Sequence, residues 1–410
     1  MNQLIASIPA YLSKQISDVV SSDPTAINLS IGEPYFRPPT LLYQNFSQLP
    51  ISMGRDFDSI PHKYAESRGS LTLRREIALW YKRNYGADIS PEENVLITHG
   101  ACEAIWLSIL TLTSIGDEVI IADPSYMLYE TAVKMLGRIP VKIPTSPENG
   151  FCLTVEQIED ATTENTKMIL INSPENPTGA VYSGQTIKGI HELAKKYGIQ
   201  FVHDEVYDTF VFNGQHENVF RHQTEADSAS VLINGFSKKF SMMGWRLGWT
   251  VGSKEYINNA TKVHTNLTLN LGSFHQDCAA TILNHESIDD YLRDHVKIIE
   301  NNGKILKSAL RKESGFMLSE VTPKGAFFLF PEISELYAAM PEKYKESKTK
   351  GEGVAQYLLH EHKVAVVPGM IYGKAGNDYI RVVAAVEEDK VNEAARRFIE
   401  ISNFIGEPAL

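Results

Sequence analysis

The sequence predicts an α/β protein in two parts: a large domain around a mostly parallel β-sheet, and a smaller α/β domain after it. Three observations carry this. From Asn94 onward, short apolar runs alternate with helical stretches, as expected for βα units around a parallel sheet. After about Ser287 the texture changes to long charged helices around Asp290 to Lys312, and a mixed α/β piece follows. The chain, at 410 residues, is long enough for two domains with ample core. The expected divisions are an arm with part of the small domain in residues 1–45, the large domain in 46–288, and the rest of the small domain in 289–410.

Composition narrows the function classes. Apolar residues make up 43% and charged residues 22%, ordinary for a soluble globular protein. A net charge of −11 argues against a nucleic-acid backbone as partner. No apolar run approaches the ~18 residues of a membrane span. Ile5-Ala6-Ser7-Ile8-Pro9 is too short, and too little basic at its head, for a signal peptide. Cys102, Cys152 and Cys278 are scattered without metal-ligand spacing and suit a reducing compartment. A cytoplasmic enzyme without metal, membrane or nucleic-acid partner is the expectation.

The elements follow in order. A short helix is expected near Ala10 to Ser21, then the strand and turn Ile27-Asn28-Leu29-Ser30-Ile31-Gly32-Glu33-Pro34. Tyr64 to Gly69 opens an amphipathic helix from Leu71 to Tyr85, with Leu73, Ile77, Leu79 and Trp80 on its buried side. Val95 to Thr98 is a strand, and Gly100-Ala101-Cys102 turns into a helix. Small residues there let backbone N–H groups approach a phosphate at the positive end of the helix dipole. Val119 to Ala122 is the next strand, and Tyr126 beyond its end can lie flat on a planar ligand ring. Met168 to Ile171 leads into Asn172-Ser173-Pro174-Glu175-Asn176-Pro177-Thr178-Gly179, and Phe201 to His203 into Asp204-Glu205-Val206-Tyr207. A carboxylate such as Asp204 can keep a ring nitrogen protonated.

Val231 to Asn234 is a buried strand that stops at Gly235, and the loop Ser237-Lys238-Lys239 follows. A lysine at a strand mouth, with Arg246 eight residues on, suits one chemistry: a Schiff base to a carbonyl cofactor whose phosphate the arginine holds. Beyond Ser287, apolar runs are expected at Gly325 to Phe330, Val364 to Gly369 and Tyr379 to Val382. The charged run Lys343 to Gly353 reads as a solvated loop.

In this order and spacing the motifs resemble the fold-type I pyridoxal 5'-phosphate (PLP) enzymes, especially the class I/II aminotransferases, over nearly the whole chain. The resemblance implies a seven-stranded, mostly parallel sheet sandwiched by helices, and a homodimer with shared active sites. Ser237-Lys238 and Gly244-Trp245-Arg246-Leu247-Gly248 match the cofactor-lysine motif and select Lys238 over Lys239. The resemblance also implies that Asn176 and Tyr207 reach the cofactor's phenolic oxygen, with Asn176 also near the substrate carboxylate. Gly32 would lie against the substrate, Arg381 would pair with its α-carboxylate, and Tyr64 would cross to the partner's phosphate. Gly100, Ala101, Cys102, Ser237 and Arg246 would hold the phosphate of the chain's own cofactor.

Three departures stand out: Tyr35-Phe36-Arg37 on the substrate side, and Cys102 and Gly235 where relatives carry phosphate-binding hydroxyls. The expected activity is transfer of an α-amino group between an L-amino acid and a 2-keto acid through a Schiff base on Lys238. The alternative is elimination, replacement or cyclisation of an amino acid on the same fold. A ligand-sensing regulatory module is disfavoured, because the acidic chain has no room for a basic DNA-binding domain. Two acids, Asp56 and Asp58, raise the further expectation of a cationic or strongly polar substrate side chain.

Overall fold

A seven-stranded sheet organises the larger part of the molecule. Its strands are β2 (Val95–His99), β3 (Glu118–Asp123), β4 (Ile139–Pro144), β5 (Thr166–Asn172), β6 (Gln200–Asp204), β7 (Ser230–Gly235) and β8 (Leu247–Val251), in the order β2-β8-β7-β6-β5-β3-β4. Only β8 runs against the others, pairing antiparallel with β2 and β7. Side chains alternate between two buried faces. Val95, Ile97, Ile120, Ile169, Ile171, Phe201 and Leu232 enter one apolar cluster. Leu96, Val119, Ile121, Met168, Leu170, Val202, Val231 and Ile233 enter the other. A sheet covered on both faces by helices demands such near-continuous apolar strands. The fold is the α/β class expected, with its mostly parallel sheet. The computed structural model describes residues 3–6, 16, 20, 23–44, 64–311, 315–316 and 323–405.

A third apolar cluster joins helices Ile288–Ala309, Lys350–His362 and Glu388–Ile405 to short strands β9 (Phe328–Leu329), β10 (Val364–Ala365) and β12 (Ile380–Val383), and β11 (Val367–Pro368) pairs antiparallel with β12 beside it. The N-terminal strand β1 (Ile27–Asn28) pairs in parallel with β10, and Ile27 and Leu29 enter this same cluster. The pairing brings Gly32 and the C-terminal Arg381 together: a Cβ on Gly32 would lie 3.7 Å from Arg381 Nη1.

Several expectations are corrected. The helix Leu71–Tyr85 forms with the expected bounds, but Leu79 is 49% exposed, and Arg74 and Tyr81 are buried instead. At about 100° per residue, positions 73, 77, 80 and 81 share a face that 79 leaves. The run Lys343 to Gly353 is not a free loop. Lys350 begins the helix Lys350–His362, and Gly351 and Gly353 are buried at close backbone contacts. Strand β4 went unrecognised because Pro140 and Pro144 interrupt it, which its place at the sheet edge tolerates. The helix expected near Ala10 to Ser21 falls almost wholly outside the described residues, as do Asp56 and Asp58. Among the described residues no helix is long and apolar enough to cross a membrane.

Candidate active site

The carboxyl ends of β2, β3, β5, β6 and β7 open onto one crevice, where ligands of such sheets are held. Register puts Asn172 opposite Asp204 and Gly235 opposite Gly248, so residues far apart in sequence share one edge. A cavity of about 500 Å³ lies there, lined by Gly32, Ala101, Cys102, Tyr126, Asn176, Asp204, Tyr207, Ser237, Lys238, Arg246 and Arg381. Two expected site residues stand apart from this lining. Gly100 touches Arg246 from behind, and Tyr64 is 83% exposed on this chain.

Lys238 projects from the turn after β7, and its Nζ donates to the Gly32 carbonyl at 2.7 Å. Burial pushes its ammonium down to about 8; Arg381 and Arg246 push the same way, while Glu33 and Cys102 oppose them. An amine in that range is partly neutral near pH 7, as a nucleophile or base must be. Its neighbour Lys239 has another fate. It turns away into the core and pairs with Asp208 at 2.7 Å.

Asp204 ends β6 and is 3% exposed. Burial raises its carboxyl to about 6, against the opposing hydrogen bonds from the Tyr129 hydroxyl at 2.7 Å and the Val206 N–H at 3.2 Å. Tyr129 was missed in the sequence; its signal was weak, a second tyrosine three residues beyond Tyr126. The two rings meet edge to face at 5.6 Å. Asn172, also missed, donates to the Asp204 carbonyl at 2.9 Å and accepts from the Asn176 N–H at 2.9 Å.

Arg381 leaves β12 into the same space. It donates to Asn176 Oδ1 at 3.0 Å and to the Ser30 carbonyl at 2.6 Å, and lies over the rings of Phe328 and Tyr372. Its Nε is buried with no hydrogen-bond partner among the described residues. A buried guanidinium left with an unused donor calls for an acceptor, and its planar fork suits a carboxylate.

At the opposite end, Arg246 sits in the left-handed region at φ 53° beside the start of helix Gly100–Leu112. Gly100 has φ 72°, and a Cβ there would lie 2.6 Å from Arg246 Nη2. Gly248 is as constrained: its Cβ would sit 2.5 Å from the Gly100 carbonyl carbon. Gly235 answers to packing too, since a Cβ would lie 3.0 Å from the Leu247 carbonyl oxygen. Cys102 is a free thiol, partly exposed in the cavity wall.

The donor set therefore has an anion site at a helix N-terminus, a buried carboxyl at a strand end, a buried guanidinium with an open donor, and a lysine among them. These residues fit a phosphorylated pyridine aldehyde together with an amino-acid carboxylate. A family described as aminotransferase class I and II matches residues 24–398. The aspartate aminotransferase of Pyrococcus horikoshii is 33% identical over 385 residues, covering 94% of this chain and 92% of its own. Aromatic-amino-acid aminotransferase 2 of Thermococcus litoralis is 29% identical, covering 95% of this chain and 94% of its own. The structure of Thermus thermophilus aspartate aminotransferase with maleate superposes with a TM-score of 0.86 at 26% identity, covering 98% of this chain and 99% of that one. By fold, order of motifs and length of match, this chain belongs to the class I and II aminotransferases.

Proposed function

We propose that this aminotransferase binds PLP in the crevice and exchanges an amino group between an L-amino acid and a 2-keto acid, with Lys238 as its central residue. The observation that carries this reading is the convergence of Lys238, Asp204 and the open-donor Arg381 on one cavity. When bound, PLP supplies an aldehyde that condenses with amines and a protonated ring that draws electrons from the substrate α-carbon.

The chain's own residues supply the rest. Lys238 Nζ would hold the cofactor and, when free, would move the substrate α-proton. Asp204 would keep the ring nitrogen protonated, and the Tyr129 hydroxyl, donating to Asp204, holds that carboxylate in place. Tyr126 would pack against the ring. Tyr207 and Asn176 would hydrogen-bond the phenolic oxygen. Arg246, Ser237 and the N–H groups of Gly100, Ala101 and Cys102 would hold the phosphate. Arg381 would take the α-carboxylate in a charge-assisted pair beside Gly32.

The relatives' names make aspartate the first donor to test, ahead of the cationic side chain suggested by Asp56 and Asp58. They also favour transamination over elimination, replacement or cyclisation. We further propose a homodimer, in which exposed Tyr64 reaches the partner's phosphate, in the cytoplasm.

Borohydride reduction of the PLP-loaded protein, followed by peptide mass spectrometry, tests the assignment. The modified peptide is expected to carry PLP on Lys238, and Lys238→Ala is expected to lose the reducible bond. Label on any other lysine of the unmutated protein would overturn the reading.

A further inference from the structure

Every cavity-facing residue at the ends of β6 and β7 has a chain neighbour that turns the other way. Asp204 is followed by Glu205, Tyr207 by Asp208 and Lys238 by Lys239, and Gly235 is preceded by Asn234. Alternation along extended chain places Asp204 and Glu205, and Asn234 and Gly235, on opposite sides of the sheet. In the turns beyond, Val206 with Tyr207 and Ser237 with Lys238 line the cavity, and the next residues, Asp208 and Lys239, are buried away from it.

The four hidden neighbours are joined. Lys239 is 1% exposed, and its Nζ donates to Asp208 Oδ2 at 2.7 Å. Asn234 Nδ2 donates to the same oxygen at 2.9 Å and to Glu205 Oε1 at 3.3 Å. Its own Oδ1 accepts from the Gly235 N–H at 2.7 Å. The Tyr81 hydroxyl donates to Glu205 and accepts from the Trp249 indole N–H at 3.4 Å. Lys239 closes the circuit, with its ammonium 5.4 Å from the Trp249 ring and 4.8 Å from that of Trp80.

We propose that Lys239 and Asp208 are positioning residues: their buried pair clamps the turn bearing Lys238 to the turn bearing Tyr207, fixing how both side chains enter the cavity. Lys238 Nζ stands 6.0 Å from the Tyr207 ring centroid, so a small relative shift of the turns changes the geometry at the reactive nitrogen. A buried ion pair is poor at adding stability, because apolar residues of similar volume do as well. Directional hydrogen bonds between two turns fix register, which apolar packing does less strictly. This inference rests on Lys238 being the cofactor lysine.

The test compares the unmutated protein with Lys239→Met, Asp208→Asn and the double variant, stripped of cofactor and then mixed with PLP. Three quantities are read: melting temperature, rate of appearance of the visible imine band, and the pH midpoint of that band. Each single variant leaves one buried charge unpaired and is expected to melt lower. The double variant carries no lone charge and keeps most of the volume, so its melting temperature is expected to recover most of the loss. Its band is nevertheless expected to form on the order of ten- to a hundredfold more slowly, with a displaced pH midpoint, because the clamp is gone. If the singles fail to fold, the double variant alone decides the matter. A double variant that forms the band at the unmutated rate with an unchanged midpoint would overturn the positioning role and leave a purely structural pair. Failure of the unmutated protein to form any band would overturn the underlying reading of Lys238 instead.

Discussion

At the scale of single residues, Asp204 links the chemistry to stability. Its carboxyl is held at about 6 against an ordinary 3.8, chiefly by burial. In the cofactor-free protein, the folded state keeps this proton where the unfolded chain has lost it. Stability therefore falls as pH rises from about 4 to about 6, and the loss persists above that. Two pKa units correspond to on the order of 2–3 kcal/mol. Asp204→Asn is expected to raise the melting temperature of cofactor-free protein at pH 7, with the gain vanishing near pH 4. The same change is expected to lower transamination by about a hundredfold or more, since the ring nitrogen loses its ionised partner. Thermal scans at the two pH values and steady-state rates check both halves; no gain at pH 7 would contradict the burial account.

The site residues that were legible in the sequence are those whose signal is local. Asn176, Asp204, Lys238 and Arg246 each sit in a short motif at a strand end. Tyr129 was not legible, because its role depends on a partner 75 residues away. Lys239 carries no local signal for burial, and only the fold shows it buried.

At the scale of elements, the close approach of β8 to the helix Gly100–Leu112 shapes the proposed phosphate site. A Cβ on Gly248 would meet backbone atoms of Gly100 and Ala101, which cannot swing aside as a side chain would. Gly248→Ala is expected to lower stability by about 1–3 kcal/mol, the usual range for overpacking. PLP affinity should fall as the N–H groups proposed to bind its phosphate shift. Denaturant melts and equilibrium PLP titration check this, and an alanine variant matching the unmutated protein in both would refute the close-approach account. The strands bounding the site were legible because β5, β6 and β7 each carry a short apolar run and end on Asn, Asp or Gly. The two small sheets, β1-β10 and β11-β12-β9, were harder to read. Their strands span two to four residues, so the expected runs at Gly325 to Phe330 and Val364 to Gly369 shrink to β9 and to the broken pair β10 and β11.

At the scale of the whole molecule, the site draws on both ends of the chain and, in the proposed homodimer, on a second copy. Gly32 and Arg381 are brought together by β1 pairing with β10, an arrangement no local pattern announces. Tyr64 is exposed on the single chain, and its proposed role lies in the partner's site. Mixing Tyr64→Ala with Lys238→Ala under conditions of demonstrated subunit exchange is expected to restore part of the activity that each variant lacks alone. Exchange without rescue would count against shared sites. The central claim is that Lys238, Asp204 and Arg381 serve amino-group transfer, and one measurement tests it most directly. PLP-loaded protein is mixed with single L-amino acids, aspartate first, with no keto-acid acceptor. A transaminase is expected to release about one equivalent of 2-keto acid per site and stop, then resume when a 2-keto acid is added, as ping-pong exchange requires. Continued product release without any acceptor would contradict amino-group transfer and assign this site a different reaction.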